Sequence, residues 1–144
     1  LGAPWWRDDI YASISGMSRT TGREEIVKAG CECIAYQIND VIDAMRKDSK
    51  IDISQMCVDG GPTRNKYLMQ FQSDISQTEV KIPDAEELSV IGAGYLAGES
   101  AGYYDPDDIY KAITYNFFET KMQEQERSEK VHGWNEAVEM LLKK

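Results

Sequence analysis

Between residues 23 and 47 apolar side chains return every three or four positions: Val27, Cys31, Ile34, Ile38, Val41 and Met45. That period predicts an amphipathic helix, with Glu24, Lys28, Glu32, Asp43 and Arg46 on its solvated face. Thr21-Gly22-Arg23-Glu24 has the spacing of a capping box at its start. Upstream, Ile10, Ala12, Ile14 and Gly16 alternate with Tyr11, Ser13, Ser15 and Met17, the period of two that predicts a strand. Downstream, Met56-Cys57-Val58 reads as a short buried strand that stops at Gly60-Gly61-Pro62. Thr63 can cap a second helix over residues 64–75, with Leu68, Phe71, Gln72 and Ile75 at helical spacing. Residues 79–82 alternate and meet Pro83, which predicts a third strand.

The segment 89–98 is rich in glycine, yet Val90, Ala93, Ala97 and Ala101 recur at a helical period. Each glycine costs a helix about 1 kcal/mol. A helix that accepts three of them is expected to pack very closely on a sheet or a ligand loop. Asp105-Pro106 has the form of a cap followed by proline at the first helical position, and Ile109, Ile113 and Phe117 then predict another helix. A last amphipathic helix carries Val131, Trp134, Val138 and Leu141 and closes on Lys143-Lys144, which suit its negative end. Strands alternating with helices make this an α/β chain with crossover helices. Three predicted strands are few for such a sheet, and the chain starts at Leu1 rather than methionine, so it reads as an excised part of a larger domain.

Charge narrows the partners. The 144 residues hold 25 Asp and Glu against 16 Lys and Arg, a net charge of -9. This excludes a nucleic-acid backbone or an anionic membrane surface as the main partner. It leaves nucleotides open, because backbone N–H groups at a helix start hold a phosphate whatever the net charge. No apolar run is long enough to span a bilayer, and no secretory pattern is present. Cys31, Cys33 and Cys57 are odd in number and lack a disulfide or zinc spacing. They read as buried thiols acting as small apolar groups in a reducing cytoplasm.

The candidate chemistry lies where the strand ending at Val58 meets Gly60-Gly61 and then a helix. Two glycines free the backbone to take left-handed conformations and to approach a ligand without a Cβ in the way. A helix start behind them would aim N–H groups at the turn. The turn falls at the carboxyl end of a strand, where α/β sheets hold ligands. It is neither a phosphate loop ending in Gly-Lys-Ser/Thr nor a Gly-x-Gly-x-x-Gly fingerprint.

The wider segment is more specific. Val58-Asp59-Gly60-Gly61-Pro62-Thr63-Arg64-Asn65, continuing through Leu68-Met69-Gln70-Phe71-Gln72-Ser73-Asp74-Ile75, closely resembles the adenosine-binding segment of the FGGY family of carbohydrate kinases, its glycerol kinase-like members above all. That family shows D-G-G-x-x-x-N and then L-M-Q-x-Q-A-D-I. Ile91-Gly92-Ala93-Gly94-Tyr95-Leu96-Ala97-Gly98 resembles its A-L-G-A-A-Y-L-A-G helix, and Ala3-Pro4-Trp5-Trp6-Arg7 its A-P-Y-W-R stretch. Ala12 to Met17, with Glu25, Ile26, Ala29 and Glu32, follows its second signature. The likeness runs in order over about the first hundred residues, and the Trp134 region is similar to the family's terminal helix.

The resemblance implies part of a ribonuclease H-like, actin-like ATPase domain: a mixed sheet flanked by helices, with residues 105–144 as a helical extension of the same domain. It implies ATP with Mg2+ as cofactor and a sugar or polyol as acceptor, in a cytoplasmic enzyme, and leaves room for a homo-oligomer. Carried over by position, Gly60 and Gly61 would lie along the ribose and α-phosphate, and Asn65, one turn into the helix, would contact the adenine. Asp59 would support the turn without touching the ligand. The family's catalytic aspartate, its phosphate-binding motif and most sugar contacts precede the part that this chain matches. Asp8, Asp9, Asp40 and Asp43 do not match that base, the latter two reading as ordinary surface charges. No catalytic or metal-binding residue is therefore expected here, and the piece alone should be inactive. The alternative is a non-catalytic actin-like module that binds nucleotide or a partner. Departures from the family pattern fall at Gly30, Cys31, Pro62 and Leu88-Ser89-Val90-Ile91. His132 reads as a surface histidine, and Trp5 and Trp6 as structural.

Overall fold

The long helix forms as its period requires. In the computed structural model, which describes residues 1–85, 88–103, 105 and 113–143, α1 spans Arg23–Ser49. Its start is one residue later than the capping-box reading: Gly22 is the N-cap, and Glu25 rather than Glu24 reaches back, accepting the Gly22 N–H at 2.8 Å. After Lys50 in a left-handed conformation come β1 (Gln55–Cys57), a 3-10 turn (Gly61–Arg64) and α2 (Lys66–Ser76). Then follow β2 (Glu79–Pro83), α3 (Leu88–Ser100), β3 (Tyr115–Phe118) and α4 (Glu124–Leu142).

The sheet is mixed, in the order β1-β2-β3. β1 pairs with β2 in parallel, Met56 facing Val80, and α2 is the crossover between them. β3 pairs antiparallel to β2, Val80 facing Phe118 and Pro83 facing Tyr115. Phe117 thus sits in a strand, where the sequence predicts a helix. The pattern of Ile109, Ile113 and Phe117 had suggested turns of 3.6, but Tyr115 to Phe118 is aromatic-rich and fits a pleated edge. Ile109 and the proposed cap at Pro106 lie outside the described residues.

Two further expectations fail. Residues 10–17 form no strand. Alternation favours an extended backbone but does not supply a ladder partner, and no strand pairs with it among the described residues. Tyr11, Ile14 and Met17 are exposed. Two of the three glycines of α3 do not meet a close neighbour either: a Cβ at Gly92 or Gly94 would find no atom within 4 Å, whereas Gly98 is buried.

The core gathers around α2. Leu68, Met69, Phe71 and Ile75 are buried with Ala35 of α1 and Val80 of β2. The small Ala35 admits α2 at close range, and Tyr36 beside it meets Phe71 edge-on at 5.4 Å and stacks on Trp134 of α4 at 5.2 Å. α1 therefore buries Ala35, Asn39 and Ile42, not the predicted stripe. Val27, Ile34 and Met45 remain 57, 47 and 53% exposed. Arg46, predicted on the solvated face, is half-buried and ties three segments together. Its guanidinium donates to the Ser76 carbonyl at 3.0 Å, the Ile53 carbonyl at 2.9 Å and Thr78 Oγ1 at 3.0 Å.

α2 is buried nearly all round, so its polar residues need partners inside. Asp74 Oδ1 accepts the N–H groups of Lys121 at 2.6 Å and Met122 at 3.1 Å, and the Gln70 amide at 3.1 Å. Ser73 Oγ donates to the Phe118 carbonyl at 2.9 Å, and Arg127 of α4 donates to the Ile75 carbonyl at 2.8 Å. These bonds dock the chain after β3 onto α2.

Asp40 is no ordinary surface charge. Its Oδ2 accepts the indole N–H of Trp134 at 2.9 Å and of Trp5 at 3.3 Å, joining the N-terminal segment and α4 to α1. Trp5 is structural, as expected, whereas Trp6 is 79% exposed. Burial raises the Asp40 pKa above its usual range, more than the two indoles lower it. A raised folded-state pKa means that the protonated form stabilises the fold, and this contribution is lost as pH climbs through the folded value. Asp40→Asn should therefore gain on the natural chain as pH rises from about 4 to 7. Urea midpoints at both pH values check this; an equal difference at the two would contradict it.

Candidate functional site

The chain leaves β1 through Val58, whose N–H still donates to the Lys81 carbonyl at 3.0 Å. It then turns at Gly60, with φ 90° and ψ 177°, a conformation that is essentially restricted to glycine. Of the two glycines only Gly60 has a positive φ. Gly61 contributes differently: a Cβ there would meet nothing within 4 Å, so its backbone faces open space.

The following helix does not begin at residue 64. Pro62 fixes a tight turn, in which Thr63 N–H and Oγ1 both donate to the Gly60 carbonyl, at 3.1 and 2.7 Å, and Asn65 N–H donates to the Pro62 carbonyl at 3.0 Å. Asn65 is the N-cap of α2, not a residue one turn inside it; its Oδ1 accepts the Leu68 N–H at 3.2 Å. The shift has a simple cause. Asn is among the strongest N-cap residues, while Pro62 and the 3-10 turn delay regular α-helix. The helix start is thus set back from the glycines, and proline removes one N–H from the turn.

Asn65 opens onto a cleft of about 620 Å³ between the N-terminal parts of α1 and α2, lined also by Arg23, Glu24, Val27, Lys28, Cys31 and Tyr67. Gly60 and Gly61 do not line it; the 3-10 turn links them to Asn65. Tyr67 stacks on Phe71 at 6.0 Å and donates from its hydroxyl to Glu32, which also pairs with Lys28 at 3.7 Å. Burial first, and then this bond to Glu32, raises the Tyr67 pKa, so the phenol stays a donor. The cleft thus has an aromatic wall, an amide, two cations and the Glu24 carboxylate in its lining.

Sequence reading found Asn65 and missed the rest of this lining. Arg23, Val27 and Cys31 follow one another at four-residue steps on one face of α1, and Val27 and Cys31 belong to the stripe that the period predicts as core. Cys31 and Cys33 are half-buried and Cys57 is exposed, and all three are free; the expectation of buried thiols does not hold. His132 is exposed and lies 3.4 Å from Glu136, as a surface histidine should. Among the described residues no group of three or more His, Cys, Asp or Glu could hold a metal ion. No helix among them is long and apolar enough to cross a membrane.

The fold has known counterparts. The chain is 46% identical over 145 residues to a glycerol kinase of Natranaerobius thermophilus, covering 99% of this chain and 29% of that protein. It is 42% identical over 140 residues to a glycerol kinase of Shewanella halifaxensis, covering 96% of this chain and 28% of the relative. The crystal structure of Plasmodium falciparum glycerol kinase with ADP superposes with a TM-score of 0.86 at 39% identity, over 97% of this chain and 28% of that one. The chain therefore spans less than a third of the length of the proteins it matches. The model of the FGGY C-terminal domain matches residues 1–101. With that match across most of its length, the chain belongs to the FGGY family of carbohydrate kinases, within the C-terminal domain.

Proposed function

We propose that this chain is the nucleotide-binding part of an ATP-dependent kinase that phosphorylates a sugar or polyol hydroxyl, with glycerol the first acceptor to try. The observation that carries this reading is the turn from β1 through Gly60 and Gly61 to Asn65, in a chain of this family whose fold matches a glycerol kinase solved with ADP. Gly60 and Gly61 run along the ribose and α-phosphate, and Asn65 meets the adenine. Gly60 supports this through a conformation that other residues resist, and Gly61 through a backbone open to a ligand. ATP arrives with Mg2+, which neutralises phosphate charge during transfer. The described residues do not form a site for that ion. These 144 residues by themselves bind nucleotide without transferring phosphate.

The same reading places the chain in a ribonuclease H-like, actin-like domain, with residues 105–144 as its extension. The pairing of β3 with β2 supports the extension as part of one sheet. Three unpaired thiols suit a reducing cytoplasm.

Assaying the full-length protein with ATP and glycerol, xylulose or gluconate tests the proposal. Transfer to one of them is the expected result. ADP binding without transfer to any would favour a non-catalytic module. Asn65→Ser keeps a capping oxygen but loses the amide. It should weaken ADP by about two- to tenfold, the range for one neutral hydrogen bond, with little loss of stability. Unchanged ADP affinity in a calorimetric titration would remove Asn65 from the site.

A further inference from the structure

The period of α1 puts Glu32 on its solvated face, yet only 14% of the Glu32 side chain is exposed. A carboxylate withdrawn from water is costly unless donors meet it. Two do, and they come from different helices. The Tyr67 hydroxyl of α2 donates to Glu32 Oε1, and Lys28 Nζ, one turn back on α1, lies 3.7 Å from the same oxygen. Tyr67 and Lys28 both line the cleft that Asn65 opens onto, whereas Glu32 does not. One oxygen behind the lining thus fixes the ends of two side chains within it. The Tyr67 ring is held at a second place by Phe71, stacked on it at 6.0 Å.

We propose that Glu32 is a positioning residue of the nucleotide cleft: through Oε1 it holds the Tyr67 ring and the Lys28 ammonium where a bound nucleotide meets them. The inference rests on the nucleotide reading of the cleft given above. Two effects follow. A side chain already held in place loses less rotamer freedom when the ligand arrives. The phenol donor and the ammonium also offset the charge of the carboxylate, so that it repels an anionic ligand less. Neither effect needs Glu32 to touch the ligand.

The test is calorimetric titration of the full-length protein with ADP. Loss of folded protein lowers the number of sites found in such a titration, whereas loss of positioning lowers the affinity of each site. Tyr67→Phe keeps the ring and its contact with Phe71 but removes the hydroxyl. It should weaken ADP about two- to tenfold at an unchanged number of sites. Glu32→Ala should weaken ADP at least as much. Glu32→Gln keeps an acceptor for the phenol and should recover most of that loss. Tyr67→Phe added to Glu32→Ala should weaken ADP no further, because the hydroxyl then has nothing to hold it.

Natural affinity in both Tyr67→Phe and Glu32→Ala overturns the proposal. Tighter binding in Glu32→Ala does so too, since the carboxylate would then act only as a repelling charge. Equal losses from Tyr67→Phe with and without Glu32 would show the phenol acting alone, and also overturn it. If Glu32→Ala does not fold, natural affinity in Tyr67→Phe is enough to reject the role. A natural protein that binds no ADP overturns both this inference and the reading beneath it, whereas ADP binding that none of these changes moves overturns this inference alone.

Discussion

Gly60→Val should lower the unfolding free energy by about 1–3 kcal/mol and remove most of the affinity for ADP. The cost is in the backbone. At φ 90° and ψ 177° a β-branched side chain collides with its own peptide groups, whereas a Cβ at this site would meet its nearest other neighbour, Pro62 Cδ, at an ordinary 3.9 Å. Relief of that strain would swing the chain out of the turn that links β1 to Asn65. Gly61→Ala is the control. Its Cβ enters open space and its φ is not positive, so stability should hold or rise by about 0.4–1 kcal/mol. If the Gly61 backbone lies against a nucleotide, ADP should still bind more weakly. Chemical denaturation alongside ADP titration of the full-length protein separates these effects. Equal stability of Gly60→Val and the natural protein would contradict the strain argument.

The second large effect is expected at Asp74. Asp74→Ala removes the acceptor of two backbone N–H groups and one amide at a buried position. A hydrogen bond to a charged group is worth about 1.5–3 kcal/mol, and donors left unpaired add their own cost, so a loss of about 3 kcal/mol is expected. Asp74→Asn keeps Oδ1 and should lose roughly 1 kcal/mol. Hydrogen exchange gives the location: the amides of Lys121 and Met122 should exchange faster in the Ala variant, while β1 and β2 change less. Unchanged exchange at these two amides would show that Asp74 does not hold the segment.

Which parts of this were legible beforehand follows from the kind of signal each residue gives. Pro83 ends β2 because it lacks an N–H, and that is a local fact visible in sequence. The extent of α1 and the existence of α4 follow from periodicity, which is also local. The buried face of α1 was not legible, since Ala35, Asn39 and Ile42 look weaker as a core than Val27, Ile34 and Met45. What selects them is α2 lying against Ala35, a contact made from far along the chain. Asp74 and Arg46 look like surface charges for the same reason: their partners lie in the segments 120–122 and 53–78. At the candidate site, Gly60 and Asn65 stood out through the D-G-G-x-x-x-N pattern. The role of Asn65 as a cap depends on how Pro62 tightens the turn, and Tyr67 and Cys31 come together only when α1 and α2 are packed.

The free stripe on α1 also bears on how such a polypeptide behaves in solution. Val27, Ile34 and Met45 form a sticky strip on an acidic body of net charge -9. Like-charged molecules repel across a Debye length of about 30 Å in 0.01 M salt but only about 8 Å at 0.15 M. Added salt therefore lets the strips approach, and sulfate strengthens their attraction further by favouring burial. The isolated chain is colloidally steadiest in dilute, neutral, low-salt buffer. Those conditions also leave its acidic groups least screened, so the anionic nucleotide has to bind through local donors against the field of the whole molecule.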